Sequence, residues 1–216
     1  MTSKRVSAMV IVVGFLLGLV LSGQLPSRIP IHWGLGGTVD GYADPVLAVW
    51  LLPAIALGLF LILSNLRRLD PMRANYVQFE GTIGRFTLAI IIFLMALHIL
   101  ILINGLGWDV NVPRILLVLV GILFASLGNE LGRLRPNSFA GIRVPWTLTN
   151  EDVWRQSHRV GGRIMVLSGL VIALMSLVAP LTILFWVILL VTFAMTAGMI
   201  GYSYYYALQK RQAGEN

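Results

Sequence analysis

The sequence predicts an all-α integral membrane protein with six transmembrane helices, and three observations carry that expectation. Apolar residues make up 57% of the 216 positions and charged residues only 12%, with a mean hydropathy of +0.85. Soluble domains carry charge on about a quarter of their residues. Six apolar runs are long enough to cross about 30 Å of hydrocarbon as helices of about 20 residues. The lysines and arginines, finally, gather in alternate connections between those runs. One membrane domain over residues 1–216 accounts for all three.

The first run, Val6 to Ser22, follows Lys4-Arg5 and so resembles a cleavable leader. It exceeds the usual apolar core of such leaders and no Ala-x-Ala site follows it, so it is expected to remain as a span. The second, third and fourth runs are Val46 to Leu66, Ile83 to Asn104 and Pro113 to Leu131. The fifth and sixth, Ile164 to Ala179 and Leu181 to Ala207, are separated only by Pro180, which predicts a tight turn. Gly14, Gly18 and Ser22, then Gly121, Ala125, Gly128 and Gly132, then Ala194, Gly198 and Gly201 form small-residue stripes of the kind that let spanning helices approach closely.

Charge decides between five spans and six. With six spans and a cytoplasmic amino terminus, fourteen of the sixteen lysines and arginines fall on the inner side and only Arg28 and Arg114 on the outer. Five spans would move Lys210 and Arg211 outside. Both termini are therefore expected in the cytoplasm, with residues 24–45 forming an extracellular loop and residues 132–162 a cytoplasmic one. The formal charge of +7 is assigned to topology and to anionic headgroups, with membrane lipid and not nucleic acid as the partner.

The outer connection, "LPSRIPIHWGLGGTVDGYADP", is too rich in proline and glycine for a long helix, and Ile29 and Ile31 suggest a short extended stretch between turns. His32, Asp40 and Asp44 lack the regular spacing of metal ligands, so no metal is expected. His98 lies inside the third span, about 20 Å along the helix from Arg85, and is the residue on which a transport function would turn. The three histidines fall at three depths and no span buries an acid pair. The chain also has no cysteine. Catalytic residues, thiol chemistry and cofactors are therefore not expected.

The inner connection gathers five arginines and two tryptophans between Gly132 and Gly162. Pro136-Asn137 ends the fourth helix. Thr149, with Asp152 three residues on, predicts a helix start, and a short interfacial helix to about Val160 is expected before the fifth span, with Trp154 and His158 one turn apart. Asn129, Pro136, Asn137, Gly141, Pro145 and Trp146 serve no charge balance and point to a specified loop fold.

That segment, "NELGRLRPNSFAGIRVPWTLTNEDVWRQSHRVGG", resembles the cytoplasmic signature of the SdpI family, immunity proteins against a secreted sporulation-delaying peptide toxin. The outer segment is similar to the amino-terminal domain of uncharacterised role found in the same family. Two departures stand out: Gly34 where the family usually has asparagine, and Val144 where threonine is frequent. The resemblance implies a toxin-immunity and signalling protein. His32, Trp33, Asp40 and Tyr42 would contact a secreted peptide. Asn129, Arg133, Arg135, Pro136, Asn137, Arg143, Pro145, Trp146, Trp154, His158 and Arg159 would form a docking motif for a cytoplasmic repressor.

Overall fold

The computed structural model describes residues 2–214 and is built on six long helices, each apolar enough to cross a membrane. They are α1 (Ser3–Leu21), α2 (Pro45–Ser64), α4 (Glu80–Gly105), α5 (Val112–Leu131), α7 (Glu151–Val178) and α8 (Leu181–Gln212), with short helices α3 (Leu66–Leu69) and α6 (Pro145–Thr149) in the connections. The only sheet among the described residues is an antiparallel hairpin of β1 (Ile29–Trp33) and β2 (Val39–Ala43).

Local chemistry places the helix starts. Asp44 accepts the Val46 N–H and Pro45 occupies the first turn of α2, a position where its missing N–H costs nothing. Asn111 caps α5 by accepting the Arg114 N–H. Asn150, not Thr149, caps α7, its side chain accepting from the Asp152 and Val153 amides. Thr149 instead closes α6.

The expected interfacial helix and the expected fifth span are one continuous helix, α7. The short helix that precedes it, at 145–149, is a different segment from the one expected. Gly161-Gly162 lies within α7 without interrupting it, and a Cβ at Gly162 would lie 2.6 Å from the Gly128 carbonyl of α5. Close packing, not flexibility, accounts for a glycine in mid-helix there. The turn at Pro180 is as tight as expected, with only Ala179 and Pro180 between α7 and α8. Arg114 reaches across this end to donate to the Ser176 and Ala179 carbonyls, which caps the carboxyl end of α7 with a cation.

The bundle divides into two groups of three. α1 and α2 pack on α4; α5 and α8 pack on α7; α4 against α5 joins the groups. The small residues of α1 and α5 serve these contacts, Gly18 lying against Val49 of α2 and Gly121 against the Gly169 backbone of α7. Of those of α8 only Gly198 lies near α7, with a Cβ built on it 3.7 Å from Ile164; nothing lies within 4 Å of one built on Gly201, and Ala194 is exposed. His98 is fully enclosed where α1, α2 and α4 meet, facing Gly14 and Gly18 without a well-formed hydrogen bond.

Candidate functional site

The two connections singled out in the sequence lie at opposite ends of the bundle. At the hairpin end, Ile29 is fully buried against Leu25 and Gly105, anchoring β1 to α4. Gly34 and Thr38 close the turn, the Gly34 N–H donating to the Thr38 carbonyl at 2.9 Å. Gly37, at φ +83°, holds the tip against Leu181 at the start of α8, and an added Cβ would come within 2.6 Å of that side chain. The extended stretch at Ile29 and Ile31 is present as β1. Its partner β2 went unread, since Val39-Asp-Gly-Tyr-Ala shows little hydrophobic alternation.

His32 Nδ1 hydrogen-bonds Asp40 Oδ1 across the hairpin, and both side chains are at least half exposed. His32 and Trp33 line the rim of a groove of about 550 Å³ that continues between α4, α5 and α8. Its walls are almost wholly aliphatic and aromatic. Tyr42 stands apart from it, beside Ser27, Arg28 and Asp44 at the base of the hairpin. Of the four expected peptide contacts, His32, Trp33 and Asp40 therefore cluster and Tyr42 does not join them. His98 does not line the groove.

At the other end, the 132–150 loop is a folded unit built on buried polar groups. Asn137, fully buried, donates to the Arg135 and Ala140 carbonyls and accepts from the Phe139 and Ala140 amides. His158 is stacked on Trp154 with ring centroids 4.0 Å apart. Its Nε2 accepts the Ile142 N–H at 2.9 Å, which leaves the ring proton on Nδ1 to be donated to the Trp154 carbonyl. Gly141, at φ +111°, is the only residue type that fits there, because a Cβ would overlap the His158 ring. Trp154 donates its indole N–H to the Leu134 carbonyl. Thr147 ties Ile142 to Val144.

Sequence reasoning missed the element on which this loop rests. Asp70, in the connection after α3, is 2% exposed and accepts from the Met72 amide, the Ser138 amide and the Tyr76 hydroxyl, each at 2.8 Å. Asn75 donates to the Pro136 carbonyl. Burial pushes the Asp70 carboxyl upward, but the hydrogen bonds from Ser138, Met72 and Tyr76 prevail and hold it below its ordinary value of 3.8. Burial and the bond to Asp70 push Tyr76 in the opposite direction, upward.

The expected docking motif thus separates into scaffold and surface. Asn137, Trp154 and His158 are fully buried and shape the loop, offering no face to a partner; Pro136 lends its carbonyl to Asn75, and Pro145 begins α6. Trp154 and His158 lie in the interior and not at a headgroup boundary. Trp146 is part-buried, donating to Ser203 Oγ and meeting Tyr204 edge-on. Asn129, Arg133, Arg143 and Arg159 are exposed. Arg133 and Arg85 both pair with the buried Glu130, Arg155 with Asp152, and Arg135 stands 3.8 Å from Glu151.

Comparison with known proteins falls on both ends. Residues 133–203, comprising the loop, α7 and most of α8, match the model of the SdpI/YfhL protein family. Residues 9–57, from α1 through the hairpin into α2, match a domain of unknown function, DUF1648. Over 206 residues the chain is 26% identical to the immunity protein SdpI of Bacillus subtilis (strain 168), an alignment spanning 95% of this chain and 97% of that one. No solved structure matches.

Proposed function

Because the chain belongs to the SdpI/YfhL family, we propose that it is a toxin-immunity protein of the bacterial membrane that senses an apolar secreted peptide at the hairpin and reports it at the opposite end. His32, Asp40 and Trp33 form the peptide-contacting rim. The exposed cations Arg133, Arg143 and Arg159 form the docking face for a cytoplasmic repressor, presented by the loop that Asn137, Trp154 and His158 hold in shape. One observation supports this reading above the others: α8 touches the hairpin tip through Leu181 and the inner loop through Ser203 and Tyr204. It packs on α7 and α6 alone among the main helix contacts, so it is the helix least constrained from shifting as a rod. A peptide that favours one position of the hairpin tip shifts α8, and with it Trp146, by as much as its affinities for the two positions differ.

Expression in a toxin-sensitive bacterium tests the immunity claim. The chain is expected to restore growth in the presence of the peptide, and a His32→Ala/Trp33→Ala variant of equal abundance is expected to lose that protection. Killing that proceeds unchanged with the unaltered chain removes the proposal.

The lysine and arginine bias supports an external hairpin and a cytoplasmic 132–150 loop. The chain has no native cysteine, so single replacements report side directly. Thr38→Cys is expected to react with a membrane-impermeant maleimide in intact cells and Ser138→Cys only after lysis. The reverse pattern overturns the sidedness, and with it the division into sensing and docking ends.

A further inference from the structure

We infer that the groove beneath the hairpin holds one acyl chain of a membrane phospholipid, recognised by its hydrocarbon and not by its headgroup. This does not depend on peptide sensing. The groove's length, volume and lining fit such a chain. On α8 the lining runs from Leu181 to Thr192, which at 1.5 Å per residue is about 16 Å. That is about half of a 30 Å hydrocarbon core, the depth of one leaflet. The volume of about 550 Å³ leaves room for a hydrocarbon chain of that length, and the lining is apolar along it.

Water is excluded on chemical grounds. Each buried water needs two to four polar partners, and the walls formed by Leu97, Leu116, Leu117, Phe185, Ile188 and Leu189 supply none. Nor do the helices close the space themselves, because α8 leans on α7 and not on α4 or α5. The hairpin tip, seated on Leu181, straps the end of the groove and leaves the headgroup outside.

Native mass spectrometry of the chain purified in mild detergent tests the inference. One phospholipid per chain is expected to remain bound. Leu117→Trp, which fills the groove, is expected to lower its occupancy at least tenfold, whereas Leu167→Trp on the 64% exposed face of α7 leaves it unchanged. Phosphatidylethanolamine and phosphatidylglycerol of equal chain length are expected to rebind equally. A second measurement uses the unaltered chain, so a folding defect in a variant does not decide the matter. A phospholipid with a diazirine in its acyl chain is expected to label Leu117 and Ile188 in preference to the lipid-facing Leu190 and Phe193. No retained lipid, equal labelling around α8, a preference for one headgroup, or displacement of the lipid label by a photoreactive apolar helical peptide at these same residues would each overturn the assignment.

Discussion

Gly121→Ala is expected to force α5 away from α7 and to lower the thermal midpoint of the purified protein sharply. A methyl group there would stand 2.5 Å from the Gly169 carbonyl oxygen and 2.6 Å from the Ala173 nitrogen. Both are backbone atoms of α7, so no side-chain rotation makes room and the helices must separate. Two turns further along, Gly128 lies against the Gly162 carbonyl in the same way, 2.8 Å from an added Cβ. Separation at one crossing therefore loosens the other. Overpacking of this kind costs about 1–3 kcal/mol or more, and in lipid the lost van der Waals contact is not offset by a hydrophobic drive between helices. Gly201→Ala is the matched control, with nothing within 4 Å of its new methyl, and it is expected to be neutral or mildly stabilising through helix propensity. Equal midpoints for the two variants, followed by tryptophan fluorescence in detergent, would mean that α5 and α7 do not meet at these glycines. Because α7 also carries Trp154 and His158, Gly121→Ala is expected to disturb the inner loop as well.

The contrast between these glycines marks how far the sequence alone can be read. Hydropathy and charge bias are sums over many residues and point to six spans, while the single Pro180 marks the turn between the last two. Which way a small-residue stripe faces is a property of the neighbouring helix. The stripe on α5 meets α7 and the one on α8 meets nothing at Gly201, although their compositions are alike. Trp154 and His158 met the same difficulty. A tryptophan among arginines near a span suits a headgroup boundary, yet both side chains are interior because Leu134 and Ile142, distant along the chain, supply their hydrogen-bond partners. At the other end β1 was legible through Ile29 and Ile31, while β2 was not, and the groove was invisible because it belongs to three helices at once. Asp70, Asn75 and Tyr76 carry no periodicity, and the arginines around them dominate any reading by charge.

Asp70→Ala is expected to release the 65–79 connection from the 132–142 loop. The substitution strands the Met72 and Ser138 amides and the Tyr76 hydroxyl, all of which donate to this one carboxylate. An orphaned buried donor costs about 1–3 kcal/mol, and three are stranded together, so a loss of at least about 3 kcal/mol is expected. Asp70→Asn keeps one acceptor oxygen but turns an amide toward donors, so an intermediate loss is expected. The sign of the pH dependence separates a charged from a neutral role. Because the folded carboxyl is held below 3.8, its contribution is fully present above the ordinary carboxylate value and is lost as pH falls through the depressed one. The difference in thermal midpoint between the unaltered chain and Asp70→Ala should therefore be constant from about pH 8 to about pH 5 and close in the acid range below. A difference that persists undiminished in acid would show that Asp70 acts by shape and not as an anion. Alkali acts on the other partner: burial and Asp70 raise the Tyr76 pKa, so its donated hydrogen bond is intact below the ordinary tyrosine value and is lost as pH rises through the raised one. Loss of Asp70 unseats Ser138 and, through Asn137, the turn that positions Arg135 and Arg143. If the exposed arginines are the docking face, Asp70→Ala should abolish docking at a distance from every one of them.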